Sequence, residues 1–157
     1  MSENVVDQGA AQASADDHKM IADTLRLAAA GVEAGDVNAL MAMFYDSPAT
    51  FLFDYGPPRS VSYEELHTGF VAALGGIDGS FRCEYSEIHS YLLAADAAWS
   101  WSIMRVGFKM RGGSQTDFIT RVTDIWRKID SRWVAVHEHS SVPVDVTTGK
   151  ADLQLKP

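Results

Sequence analysis

Arg121-Val122-Thr123-Asp124-Ile125-Trp126-Arg127-Lys128-Ile129, then Asp130-Ser131, then Arg132-Trp133-Val134-Ala135-Val136-His137-Glu138-His139-Ser140 is the stretch that decides the fold. Both arms are rich in β-branched and aromatic residues, and the two polar residues between them suit a two-residue hairpin turn. Working outward, Gly112-Gly113-Ser114 is a second turn. Residues 81–93, 97–110, 115–129 and 132–144 then read as the strands of an antiparallel meander.

The first half has a different period. Asp16 or Asp17 caps a helix running to about Ala34, with Met20, Ile21, Leu25, Leu27, Ala28 and Val32 on its apolar face. Gly35-Asp36 stops it and caps a second helix through Tyr45. Thr50 to Phe53 is a short strand ending at Asp54, and Tyr55-Gly56-Pro57-Pro58 is a loop. Ser62 with Glu65 forms a capping box that opens a third helix through Leu74. Helices followed by a meander give an α+β architecture, with N-terminal helices packed on a strongly curved antiparallel sheet. Residues 1–16 read as a flexible leader, 17–146 as one domain and 147–157 as a tail.

Composition narrows the function classes. A chain of 157 residues with 46% hydrophobic content suits one domain with a real core. Its net charge of −8 repels a phosphate backbone, so no nucleic-acid partner is expected. The single cysteine, Cys83, permits no intrachain disulfide and reads as a buried, inert thiol. The N-terminus lacks the basic and apolar regions of a signal peptide, and no apolar run is long enough for a membrane span. A cytoplasmic protein with no membrane partner is the expectation.

Strand alternation sorts the candidate residues. An unbroken hairpin about Asp130-Ser131 pairs Thr123 with Glu138, Arg121 with Ser140, and Asp124 with His137. One face then carries Ser100, Ser102, Met104, Arg121, Thr123, Ile125, Val136, Glu138 and Ser140. The other carries Trp99, Trp101, Asp124, Trp126, Trp133, His137 and His139. A tryptophan-rich face is an apolar patch that a monomer rarely leaves open, so a homodimer through the sheet is expected.

These segments carry a family resemblance. The opening, from Val32-Glu33-Ala34-Gly35-Asp36 through Ala49-Thr50 to Asp54, resembles ketosteroid isomerase. The closing hairpin, through Val136-His137-Glu138-His139-Ser140-Ser141 to Asp145, resembles SnoaL-like proteins of the NTF2-like superfamily. It is also similar to the association domain of calcium/calmodulin-dependent kinase II. The resemblance implies an α+β cone with an internal pocket. It puts Asp54 at the position of a general-base aspartate. It also makes Arg121, Ser140 and the Leu66-His67 pair pocket positions. The first helix has no tyrosine to donate to an oxyanion, Ala28 standing near the matching position, which counts against steroid isomerisation. The family's second acid lies on the strand of Thr123 and Asp124, where the unbroken register turns Thr123 inward.

The expected site has Asp54 as catalytic base, with His67, Met104, Arg121, Thr123, Glu138 and Ser140 as ligand-binding residues. Asp54 suits either proton abstraction or a turn that satisfies local N–H groups. Arg121 with Glu138 suits either a clamp on an acidic ligand or a structural ion pair. His137 and His139 share a strand face, and Asp124 beside His137 suits either a third ligand or a partner that orients the ring. With no helical His-Glu-x-x-His pattern and no cysteine partner, no metal and no cofactor are expected. The reading is a binder of a small apolar or acidic molecule, with an isomerase or cyclase-type proton abstraction next to a carbonyl. The alternative is a non-catalytic dimeric association or ligand-sensing module.

Overall fold

A computed structural model of the chain describes residues 11–55 and 61–154. The expected loop from Gly56 to Pro58 and most of the expected leader lie outside the described residues. Residues Ala11–Gln12 form an edge strand, β1, and Ser14 caps helix α1 (Ala15–Ala34). The cap is Ser14 rather than Asp16 or Asp17 because Asp17 has other partners. Its Oδ1 accepts from Lys128 Nζ and from Trp133 Nε1, each at 2.9 Å. Lys128 above all holds the Asp17 carboxyl at a pKa of about 2. This cluster pins the start of α1 to the final hairpin.

Gly35 in the left-handed conformation ends α1, and Asp36 caps α2 (Val37–Met41) through bonds to the amides of Asn38 and Ala39. Helix α2 stops short of Tyr45 because the chain bonds to the sheet instead. The amide of Ala135 donates to Met43 O, and that of Tyr45 donates to Ala135 O. Strand β2 (Phe51–Phe53) follows, then β3 (Val61–Ser62) and α3 (Tyr63–Gly76), whose Ser62–Glu65 capping box is formed. Strands β4 (Arg82–Ala94), β5 (Ala97–Lys109), β6 (Gln115–Ile129) and β7 (Arg132–Ser141) build the meander.

The sheet order is β1-β4-β5-β6-β7-β2-β3. Every pairing is antiparallel except β2 on β7, which is parallel. Helix α1 covers one face, and its Ile21 and Leu25 share a core with Trp126, Trp133 and Ala135. The result is an α+β fold with N-terminal helices on a mixed sheet.

Two interruptions decide which residues meet the helices. Ile125 pairs with His137 and Trp126 with Ala135, leaving Val136 as an extra residue in β7. Such a bulge reverses the alternation beyond it. Trp133 and Ala135 face inward before the bulge, and Glu138 and Ser140 do so after it. A second shift, between Ser86 and His89, includes Glu87 at φ 51°. It lets Cys83 and then Ser90 point to the same core. Asp130 and Ser131, at φ 49° and 63°, form the expected two-residue turn.

Helices α1 and α2 meet at Gly31. A Cβ there would lie 2.5 Å from the Ala39 Cβ and 3.2 Å from the Asp36 carbonyl oxygen. Gly31→Ala is expected to destabilise the protein by about 1–3 kcal/mol through overpacking. Chemical denaturation would register this as a lower midpoint at unchanged slope, whereas an unchanged midpoint would mean that the helices separate freely.

Candidate active site

The apolar part of the site comes from α1 and α3. Ala28, Ala29 and Val32 face the sheet on one side, and Leu66 and Phe70, one helical turn apart, on the other. Between them and the sheet lies a cavity of about 60 Å³. An outer cavity of about 390 Å³ adjoins it, and both include Asp54, Tyr55, Leu66, Phe70 and Phe81 in their walls.

The polar part is a row across the sheet. Ser100 of β5 pairs with Asp124 of β6, Asp124 with Glu138 of β7, and Glu138 with Leu52 of β2. Glu138 and Ser140 line the inner cavity together with Asp54, Tyr55, Cys83, Tyr85 and Met104. No Lys, Arg or His is among the described lining residues of either cavity.

Asp124 lies behind this wall, fully buried. Its Oδ2 accepts from Ser100 Oγ at 3.0 Å, and Ser100 Oγ accepts from Trp126 Nε1 at 2.8 Å. Ser140 Oγ donates to Glu138 Oε1 at 3.3 Å. Burial pushes the pKa of both Asp124 and Glu138 up, and for Glu138 the charges of Asp124 and Asp54 push further.

Asp54 is also raised by desolvation, opposed by a 2.7 Å bond from the Tyr55 amide. Asp54 stands at the rim with an exposed surface, so its carboxyl is held less firmly neutral than that of Glu138. Tyr55 and Tyr85 keep their protons because burial, and then nearby carboxyls, raise both. Burial pushes the Cys83 thiol up to about 12, so it is no nucleophile at neutral pH.

The expected site residues divide into two groups. Asp54, Met104, Glu138 and Ser140 come together at the inner cavity. Arg121 and Thr123 are exposed on the opposite face of the sheet, where Arg121 pairs with Ser141 and Thr123 with His139. The Val136 bulge, together with a β5–β6 register that sets Met104 against Thr120, shifts β6 by one residue relative to the unbroken hairpin. No Arg121–Glu138 pair exists. Asp124, Trp126 and Trp133 correspondingly belong inside.

His67 is exposed on α3 because the Leu66–Phe70 stripe takes the inner face. His137 binds the Phe51 carbonyl oxygen at 2.8 Å on the outer face, away from Asp124. Among the described residues no group of three His, Cys, Asp or Glu is arranged to hold a metal. The arrangement of β6 had one visible signal. Arg121 and Arg127 share one parity and Val122 and Trp126 the other, which favours the even positions for the interior.

The helices lie on one face of a mixed sheet, with the two cavities between them and the strands. The SnoaL-like domain family model matches residues 21–145, and the chain belongs to that family. Its fold is similar to that of an NTF2-like protein from Pseudomonas putida KT2440. That match has a TM-score of 0.77 and 21% identity, and covers 95% of this chain and 100% of the other. An NTF2-like superfamily protein from Salmonella enterica serovar Typhimurium LT2 gives a TM-score of 0.72 at 19% identity, covering 88% and 99%. A ketosteroid isomerase-like protein from Erwinia carotovora atroseptica SCRI1043 gives 0.65 at 16%, covering 82% and 97%. At these identities the likeness concerns the fold. No curated protein matches the chain.

The raised carboxyls make stability depend on pH. Unfolded carboxyls ionise near pH 4, whereas the buried pair holds its protons to higher pH. Between those limits the unfolded chain binds fewer protons, so this pair makes stability fall as pH rises. Glu138→Gln removes one such titration, and its amide can still donate to Asp124. The Tm of the variant relative to wild type is therefore expected to rise between pH 5 and pH 8. Parallel Tm curves would show that Glu138 does not titrate abnormally.

Proposed function

We propose that the protein binds a small, uncharged, mostly apolar molecule bearing a carbonyl group, and abstracts a proton next to that carbonyl. The observation that carries this reading is the convergence of Asp54 and Glu138 on one apolar cavity lined by no described cation. Two carboxyls in unlike surroundings divide acid and base roles. Asp54, at the rim and less deeply desolvated, is the base. Glu138, more strongly held as the acid, donates a hydrogen bond to the oxygen that gains charge. An inner cavity of about 60 Å³ takes only the reacting end of such a molecule, and the outer cavity of about 390 Å³ takes the rest. An acidic ligand fits less well, because Asp54 and Glu138 would repel it, no Lys, Arg or His is among the described lining residues, and Arg121 faces away.

Simple cyclic ketones and carboxylates of matching shape test this reading. Ketones are expected to raise Tm, and carboxylates to have no effect. In D2O, bound ketone is expected to exchange its α-protons, and Asp54→Asn to slow that exchange by about 100-fold or more. Exchange at an equal rate in Asp54→Asn would remove Asp54 from the reaction.

The exposed sheet face supports a homodimer within the same proposal. His89 stacks on Trp101 and Tyr91 on Trp99, and Phe51, Phe53 and Ile125 are open beside them. A second copy of this face covers that surface. Sedimentation at micromolar concentration is expected to give the mass of two chains, and Ile125→Asp that of one. A monomeric wild type would end the dimer proposal and leave the pocket reading intact.

A further inference from the structure

Asp124 has an oxygen with no ordinary donor. Its Oδ2 is satisfied by Ser100, but its buried Oδ1 has no hydrogen-bond donor among the described N–H and hydroxyl groups. The polar group standing against it is the Glu138 carboxyl, directly across the strand pair on the same face. Two ionised carboxylates cannot bond to each other, since both only accept. One proton between them satisfies Asp124 Oδ1 and removes the like-charge repulsion together.

The geometry also decides which acid keeps that proton. Ser100 Oγ donates to Asp124 while accepting from the Trp126 indole, so its hydroxyl hydrogen is committed to Asp124. That bond favours the ionised form of Asp124. Among the described residues Glu138 accepts a hydroxyl bond from Ser140 alone, at 3.3 Å, and it faces the cavity. We propose that Asp124 is a positioning residue: fixed by Ser100 and Trp126, it shares a proton with Glu138 and keeps Glu138 the protonated partner at the cavity wall. Asp124 lines neither cavity itself. The consequence for catalysis rests on the reading of Glu138 as donor in the proposed reaction.

Of the other described titratable groups around Glu138, Asp54 carries a charge that favours the protonated form, and Tyr55, Cys83 and Tyr85 are neutral at pH 7. Asp54 and Tyr55 approach from the end of β2, and Cys83 and Tyr85 from β4. Helices α1 and α3 present only apolar side chains to the inner cavity. No Lys, Arg or His is among the described residues lining the cavity that Glu138 faces. On the Asp124 side the row continues through Ser100 to Ser90, whose Oγ bonds His18 Nδ1 of α1 at 2.9 Å.

Carbon-13 NMR of side-chain carboxyls tests the proposal in the free protein, with Glu138→Gln assigning the resonance. In wild type at pH 7 the Glu138 carboxyl is expected to resonate as a protonated acid. Asp124→Asn removes the charge and offers an amide donor, and should lower the Glu138 midpoint by about one pH unit or more. Ser100→Ala leaves Asp124 the better proton holder, and should move the Glu138 resonance at pH 7 toward the ionised position. If Asp124→Asn does not fold, Ser100→Ala decides alone. An ionised Glu138 in wild type at pH 7, or unaltered Glu138 titration in the folded variants, would overturn the proposal. A purely structural Asp124 would change Tm and leave that titration unmoved. The titration stands even if no ketone binds, so failure of the pocket reading and failure of the shared proton are separate results.

Discussion

Val136 is the residue on which the chemistry of this molecule depends. It has no partner on β6, and that one extra residue rotates the end of β7 by half a strand period. Before it, Trp133 and Ala135 pack under α1. After it, Glu138 and Ser140 reach the cavity. An unbroken strand would satisfy only one of these demands, because residues of opposite parity cannot face the same way. The bulge lets one strand supply both a core and a site.

From this follows an unusual electrostatic arrangement. Asp124 and Glu138 stand side by side within the fold, with Asp54 at the rim and no described cation beside them. Buried charges of one sign are costly, so the pair lowers its charge by retaining protons. Hydrogen bonds then decide where a retained proton sits, and the Trp126–Ser100–Asp124 chain biases it toward Glu138. Asp17 shows the opposite regime. With Lys128 and Trp133 as donors it stays ionised and fastens α1 to the sheet.

Much of this fold was legible in the sequence because it rests on local chemistry. The Ser62–Glu65 box, the Gly35-Asp36 stop and the Asp130-Ser131 turn are each specified within a few residues. Asp54, Met104, Glu138 and Ser140 were also readable as a group. Arg121, Thr123 and His67 were misplaced for separate reasons. The first two follow strand register, which one bulge changes and no turn residue announces. His67 follows the rotation of α3, where Leu66 and Phe70 had the stronger claim to the interior. The parallel docking of β2 on β7 had no local signal, since it joins residues 86 positions apart.

The register of β6 and β7 in solution is the most direct measure of this arrangement. Cross-strand NOEs between backbone protons report it without altering any residue. The bulge requires contacts of Asp124 with Glu138 and of Ile125 with His137, alongside Arg127 with Val134 beyond the break. Contacts of Asp124 with His137 and of Thr123 with Glu138 would restore the unbroken hairpin. They would turn Asp124 out of the core and contradict the paired acids.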